Sequence, residues 1–483
     1  MDWQKLSHLD RDSIHKLQEK KLRHFFHHLL PYSPYYRELF AKHNLKFEDI
    51  TTLDDLKRVP FISKEDVAPT EEDRARPRKF ILQPDEHLLK KHAPKGELLG
   101  MLAKKIFKQD VRWELEREFK PVHIHFTTGR TALPTPFVYS HQDLERLKES
   151  GRRLLDVGGL SRDLVALNAF PYSPHLGFWL AYYAMVEVGM TSLASGGGKV
   201  MGTQKIIDAL ERLKVNLGAF IPGYCYHLLR EAVKQKRNFS ELHYLIFGAE
   251  RVAPGLREKI REMAAQVGSH ELTMLATYAL TEAKTAWLQC SESTGYHLYP
   301  DLEFFEVVDS EGNRMPDGEP GELVYTALDW RGTVVVRYRT GDKTAGIDYE
   351  PCPNCGRTVP RIRPDIQRVS DIREFHITKV KGELVNLNNF FPLMSGFDDV
   401  EEWQVELKKH NDDPFDVDEI WVHVTPKAGV EFPALQRTLT ESIRNEVGVA
   451  PRINQLPLGE LITKLGMETE LKEKRILDSR PKT

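Results

Sequence analysis

Between residues 164 and 268, short apolar runs alternate with amphipathic segments: LVALNAF, LGFWLAYYAMVEVG, TSLAS, TQKIIDALERLK, LGAFIP, YHLLREAVKQ, YLIFGAE and GLREKIREMAAQVG. The short runs are continuously apolar, as strands covered on both faces must be. The segments between them repeat their apolar residues at helical spacing. No other feature constrains the fold as much. The alternation predicts an α/β domain in which a parallel or mixed sheet is covered by helices on both faces. In open sheets of this kind the ligand lies beyond the carboxyl ends of the strands. NAFPYS, SGGGK, FIPGY and FGAE occupy those ends and are expected to line one cleft.

The flanks read differently. Residues 1–120 carry helical patterns broken by prolines, as in LRHFFHHLLPYSPYYRELFAKH; 62–120 is highly charged, and its PTEEDRARPRK stretch is expected to be a solvated surface excursion. Beyond VVVRYRTGD, the alternating segments EEWQVELKKH and EIWVHVTP, the helix PALQRTLTESIRNEVG and a basic tail predict a small α+β domain. The boundary is expected near QRVSD, giving a large domain over 1–368 and a small mobile one over 369–483, joined by a hinge. At 483 residues more than one domain is the ordinary outcome. A net charge of −3 gives no overall attraction to nucleic acid or anionic lipid. MDWQKLSHLDRDSIHKLQEKK is too charged for a signal peptide, and no apolar run approaches membrane-spanning length. A cytoplasmic enzyme or binding protein is therefore expected, with neither nucleic acid nor membrane as partner.

HFTTGRTALPTPFVY, residues 125–139, contains the parts of a phosphate-holding loop. Gly129 permits a tight turn, Thr127, Thr128 and Thr131 offer hydroxyls, and Arg130 a planar cation. It lacks the second glycine and Lys-Ser/Thr of a Walker loop, so taken alone it also fits an ordinary polar connection. Of four cysteines, two lie in PCPNCGR. In a long chain without a secretion signal, that spacing points to metal or redox chemistry rather than a disulfide framework. Cys225, in IPGYCYHLL, reads as an ordinary buried cysteine.

Four segments then fall in one order: TTGRTALPT (127–135), FGAE (247–250), TYALTE (277–282), and GELVYTAL followed by VVVRYRTGD. They resemble the phosphate loop, the adenine segment, the Tyr-Gly-x-Thr-Glu motif and the ribose-binding segment of adenylate-forming enzymes. GAERVAPGLREKI, MPDGEPGELVYTAL, RYRTGD and CPNCGRTVPRI resemble the phenylacetate–CoA ligase branch most closely, over residues 120 to 483. The resemblance implies that Thr127, Thr128, Gly129, Arg130 and Thr131 hold the phosphates of ATP. It implies that the backbone of Gly248, Ala249 and Glu250, with the ring of Tyr278, brackets adenine, and that Asp342 accepts from the ribose hydroxyls. Thr281 would assist at the α-phosphate and Glu282 would ligate Mg²⁺. Outside this constellation, Asp342 opening a turn before Gly346 and Glu282 opening a helix would be the plain readings.

The same resemblance places Arg368 and Asp371 at the hinge. It selects Lys472 as the lysine that meets the reacting carboxylate, by aligning Arg475 and Asp478; Lys474 is the alternative, and a solvated basic end the plain reading. It also joins Cys290 and His297 to Cys352 and Cys355 around zinc, a closed and therefore structural site. The implied reaction converts a carboxylic acid and ATP, with Mg²⁺, to an acyl-adenylate, and passes the acyl group to a thiol, coenzyme A above all. An acid pocket built from Phe170, Tyr172, His175 and Phe178 suits an aromatic or apolar acid, although a core-packed aromatic stripe reads equally well. Departures from the pattern are Arg130 for a hydroxyl, Ala132 and Ala279 for glycines, Gln367 and Ser370 at the hinge, and Leu471 before the lysine. They keep two rivals open: transfer to an amine or a carrier-protein thiol, and a nucleotide-binding homologue without turnover. A homodimer is compatible with the sequence.

Overall fold

The computed structural model describes residues 2–107, 110–127, 135–252, 254–368, 378–380, 383–385, 387–409, 418–467 and 473–480. Contacts divide the chain into two compact units. One comprises Met1–Asn168, Tyr172–Ala194 and Leu275–Ile366, the other Ala169–Pro171, Ser195–Met274 and Gln367–Thr483.

In the first unit, Ser140 starts the helix His141–Val157. Its hydroxyl accepts from the Asp143 N–H, and the Asp143 carboxylate accepts from the Ser140 N–H, so two orphan donors are satisfied at once. The helix buries Leu147, Leu154 and Leu155 and packs on the helix Leu176–Val188. A Cβ at Gly151 would stand 2.7 Å from that of Ala184, so this approach admits only glycine. The helix Leu176–Val188 connects the strands Val165–Asn168 and Thr191–Ala194, which pair in parallel as a βαβ unit. Antiparallel elements make up the rest. Gly321–Ala327 is the central strand between Glu303–Val308 and Tyr338–Thr344. His123–Phe126 pairs with Pro136–Tyr139, and Thr285–Leu288 folds back on Thr273–Leu280. The amino-terminal helices Arg11–His24 and Pro34–Lys42 bury Leu22, Tyr36 and Phe40, with Phe25 and Phe26 between them in sequence. The charged stretch is helical in large part, over Glu86–His92, Lys95–Ile106 and Val111–Phe119.

In the second unit the parallel strands Leu217–Phe220 and Tyr244–Phe247 are connected through the helix Pro222–Lys234. Its carboxyl-terminal part centres on the antiparallel pair Val400–Lys409 and Asp418–Pro426. Arg452–Gln455 and Ile476–Asp478 flank that pair, each parallel to its neighbour. The helix Phe432–Val447 turns Leu435, Leu439 and Ile443 into the same core as Val405, Val422 and Val424. Part of the basic tail is therefore sheet, anchored by an ion pair from Arg475 to the buried Glu402.

Candidate active site

The strand Thr273–Leu280 ends in a single 3₁₀ turn, Thr281–Ala283, and reverses through Lys284 at φ +60°. Across this reversal Tyr278 and Glu282 each meet the strand that carries Asp342. The Tyr278 hydroxyl donates to Asp342 Oδ2 at 2.8 Å, and the Tyr338 hydroxyl donates to Glu282 Oε1 at 3.1 Å. Both contacts reach the strand Tyr338–Thr344, which carries Tyr338 and Asp342. The Tyr278 ring stacks on Trp287, with centroids 5.5 Å apart and planes at 26°. Trp287 in turn donates from Nε1 to Glu303 Oε1 at 2.6 Å. Ala279 lies exposed in ordinary strand geometry opposite Ala286, so the backbone there does not require glycine.

Lys284 and Asp143 form a fully buried ion pair, with Nζ 2.8 Å from Oδ2. Asp143 also accepts from the backbone N–H of Arg331 at 2.7 Å and of Gly332 at 2.6 Å. One carboxylate thus fastens the helix that follows the phosphate segment to the Thr281–Glu282 turn and to the loop at 331–332. Desolvation holds the Lys284 ammonium below the usual lysine range, opposed by Asp143.

Thr128, Gly129, Arg130, Thr131 and Ala132 lie outside the described residues. Their frame is described: the Thr127 N–H donates to the Thr135 carbonyl at 3.1 Å, closing the base of the segment. The Phe126 N–H donates to the Pro174 carbonyl at 2.7 Å, and His175 donates from Nδ1 to the Phe126 carbonyl at 2.8 Å. The hydroxyls of Thr127, Thr135 and Ser173 are buried without a hydrogen-bond partner among the described residues. Leaving such a group unsatisfied costs on the order of 1–3 kcal/mol each, a cost that a bound oxyanion would remove. Beside them, His125 Nδ1 contacts the Tyr139 hydroxyl at 2.8 Å and its Nε2 contacts His123 Nε2 at 2.8 Å. Burial pushes His125 down to about 3, so it is neutral at physiological pH.

Of the expected acid-pocket residues, Phe170 and Phe178 are buried, whereas Tyr172 is 59% exposed. Tyr172 packs edge-on against Phe178 at 5.3 Å and tilts toward Trp179 at 6.0 Å. In the second unit, the Gly248 N–H donates to the Phe220 carbonyl at 3.3 Å, and Ala249 adopts φ +70°, a conformation L-residues seldom take. The Glu250 carboxylate accepts from the Glu473 N–H at 2.8 Å, which ties the tail to the expected adenine segment. Arg368 belongs to a two-residue strand, Gln367–Arg368. Ser370, Asp371, Leu471 and Lys472 lie outside the described residues.

The four expected zinc ligands converge. One donor atom from each of Cys290, His297, Cys352 and Cys355 lies within 4.8 Å of the others. Cys290 Sγ is 3.5 Å from Cys352 Sγ, and Cys355 Sγ is 3.3 Å from His297 Nε2. Tetrahedral Zn–S bonds of about 2.3 Å place sulfurs roughly 3.8 Å apart, close to what is seen. His297 turns Nδ1 to the Leu288 carbonyl at 3.4 Å and Nε2 toward the thiols. Gly356 at φ +71° closes the knuckle, its N–H donating to the Cys352 carbonyl at 2.9 Å. Hydrogen bonds from Cys290 and then His297 pull the Cys355 thiol far down, as ligation by thiolate requires. Cys225 stands apart, buried, its thiol pushed up by desolvation.

Several of the groups found here carry no sequence signal. Asp143, Lys284, Trp287 and Glu303 belong to no motif, and Ser173 stands inside NAFPYS without a pattern of its own. Only Thr135, the last residue of TTGRTALPT, was there to be read.

Residues 51–327 match the family described as AMP-binding enzyme. The chain is 26% identical to a phenylacetate-coenzyme A ligase of Thermus thermophilus, with 98% of each chain covered. It is 25% identical to a phenylacetate-coenzyme A ligase of Aromatoleum evansii, covering 100% of this chain and 98% of that one. Among solved structures, a 2-hydroxyisobutyryl-CoA ligase in the postadenylation state, in complex with R3-HIB-AMP, aligns with a TM-score of 0.76 at 19% identity. That alignment covers 99% of this chain and 92% of the other, and establishes the two-domain α/β fold. With more than half its length matched, the chain belongs to the AMP-binding, adenylate-forming enzymes.

Proposed function

We propose that this chain activates an aromatic or otherwise apolar carboxylic acid with ATP and transfers the acyl group to coenzyme A. In the first half-reaction a carboxylate oxygen attacks the α-phosphorus and pyrophosphate leaves. In the second the thiol attacks the acyl carbon and AMP leaves. The observation that carries this reading is the joining of the TYALTE and RYRTGD segments by the Tyr278–Asp342 and Glu282–Tyr338 hydrogen bonds. Donors fixed before the reaction stabilise developing phosphate charge better than mobile water.

In this reading Asp342 accepts from the ribose, Tyr278 with Gly248, Ala249 and Glu250 brackets adenine, and residues 127–131 hold the phosphates. Glu282, an oxygen donor with one phenol hydrogen bond on Oε1, fits Mg²⁺, which supplies charge neutralisation at the phosphates when bound. The cysteine–histidine cluster fits structural zinc, its donors being those of a closed site. The segment 369–483 is the small mobile domain, hinged at Arg368 and Asp371, and Lys472 is its catalytic lysine. Among the described residues no helix is long and apolar enough to cross a membrane, and we place the enzyme in the cytoplasm.

Acid-dependent ATP–pyrophosphate exchange over an acid library tests the first half-reaction, and added coenzyme A tests the second. Exchange with thioester formation is expected for an aryl or apolar acid, and exchange should fall by orders of magnitude in Glu282→Gln. No exchange with any acid would exclude the enzyme reading. Exchange with product only from an amine or a carrier-protein thiol would exclude coenzyme A.

A further inference from the structure

The helix Lys95–Ile106 buries none of its side chains. At 100° per residue, Leu99, Leu102, Ala103 and Ile106 fall on one side of it. Leu99 is 67% exposed, Leu102 58%, and Ile106 and the adjoining Phe107 78% each. Added Cβ atoms at Gly96 and Gly100 would meet nothing within 4 Å, so the neighbouring face is open as well. Isolated exposed apolar side chains need no explanation, but of the thirteen large ones among the described residues, seven lie between Leu99 and Ile124. Trp113, on the next helix, is one of them.

The charge of this patch is opposite to that of the chain. Residues 90–107 carry Lys90, Lys91, Lys95, Lys104 and Lys105 against one acid, Glu97, whereas the whole sequence is net −3. Lys90 pairs with Glu86 and Lys104 with Glu114, while Lys91, Lys95 and Lys105 make no ion pair among the described residues.

We propose that the helix Lys95–Ile106 docks on the surface of an anionic lipid bilayer, lying in its plane without crossing it. Apolar side chains enter the acyl boundary, and lysine stems reach back to the headgroups. This departs from the expectation, drawn from net charge, of no attraction to anionic lipid: the attraction is local. A second copy of the chain fits poorly, because a two-fold contact through this helix would bring like charges together. A protein groove would have to receive a convex, lysine-flanked ridge, whereas a bilayer adapts to one.

The test is co-sedimentation of the full chain with vesicles of equal parts phosphatidylglycerol and phosphatidylcholine, and with phosphatidylcholine alone. Wild type should pellet with the anionic vesicles, little with the neutral ones, and less as salt is raised. Leu102→Glu/Ile106→Glu should lower partitioning at least about tenfold, since apolar insertion contributes alongside charge. Both positions are exposed, so the variant should keep its circular dichroism and its adenylation rate. A wild type that stays in the supernatant overturns the proposal. So does a double variant that pellets like wild type, or a solution dimer that the double variant splits.

Discussion

Replacing Glu303 by glutamine should remove a pH dependence that is built into the core. Glu303 is buried, its Oε1 accepting from Trp287 Nε1 at 2.6 Å and from the Tyr299 N–H at 2.8 Å, while Oε2 has no hydrogen-bond partner among the described residues. The nearby Asp301 is closed on Arg153 at 2.5 and 2.9 Å. Desolvation pushes Glu303 up to about 8 from 4.5. Between those values the folded state holds the proton and the unfolded chain releases it, so stability falls as pH rises through the window. At about 1.4 kcal/mol per unit, wild type should lose about 4 kcal/mol between pH 5 and 9 through this group alone. Glutamine keeps the two accepted bonds and has no proton to lose. Its amide leaves a buried donor unmatched, at roughly 1–2 kcal/mol. Glu303→Gln should therefore be no more stable than wild type at pH 5 and clearly more stable at pH 9. Paired thermal scans from pH 5 to 9 cancel the other titrations, and the midpoint difference should move by about 8 °C in the variant's favour. A difference that stays flat with pH would refute the reasoning.

The Asp143–Lys284 pair should respond asymmetrically. Asp143→Ala strands a buried ammonium and three backbone donors, about 4 kcal/mol or more, whereas Lys284→Met leaves a carboxylate still holding N–H groups and should be milder. Thermal scans giving the reverse order would contradict the assignment of Asp143 as the hub. Zinc should be present at one per chain, and Cys352→Ser should lower metal content and thermal stability together; metal analysis of protein purified without chelators checks this. Lys472→Ala should suppress acyl-adenylate formation while leaving thioester formation from supplied acyl-adenylate nearly unchanged. If adenylation survives in Lys472→Ala and fails in Lys474→Ala, the tail register is shifted by two residues.

The order of motifs along the chain was legible, because backbone turns and short polar residues leave local signatures. Tyr278 and Asp342, sixty-four residues apart, were assigned to one nucleotide and meet at 2.8 Å. Cys290 and His297 were grouped with the Cys352–Cys355 knuckle, and the structure gathers all four. What escaped was the set of groups defined only by tertiary placement. Nothing in HQDLERL distinguishes Asp143 from a solvated helix acid, since its partners lie at 284 and 331–332. Ala249 at φ +70° carries no glycine to announce its turn. Ile476–Asp478 is too short to show alternation, and pairs because Val405–Leu407 offers it a parallel edge. Within 62–120, charge density hid an apolar helix face, because Lys104 and Lys105 interrupt the stripe in sequence but lie beside it on the helix.

The buried carboxylates near the reversal at Thr281–Lys284 also divide the labour between scaffold and chemistry. Asp143 accepts from Lys284, from the backbone of Arg331 and Gly332, and from Ser140, so its lone pairs are committed and it has little left to offer a cation. Glu303 is held by Trp287 and Tyr299 in a dry core that favours its neutral form, which cannot hold a divalent ion. Glu282 differs from both. Its Oε1 accepts one phenolic hydrogen bond from Tyr338, which orients the carboxylate without saturating it. A Mg²⁺ ligand needs that combination, because the ion demands near-ideal geometry and keeps several waters. The saturated Asp143 supplies the rigidity, since through Lys284 it fixes the turn on which Glu282 stands. That division of roles agrees with the Mg²⁺ role that the family resemblance gives to Glu282 rather than to either neighbour.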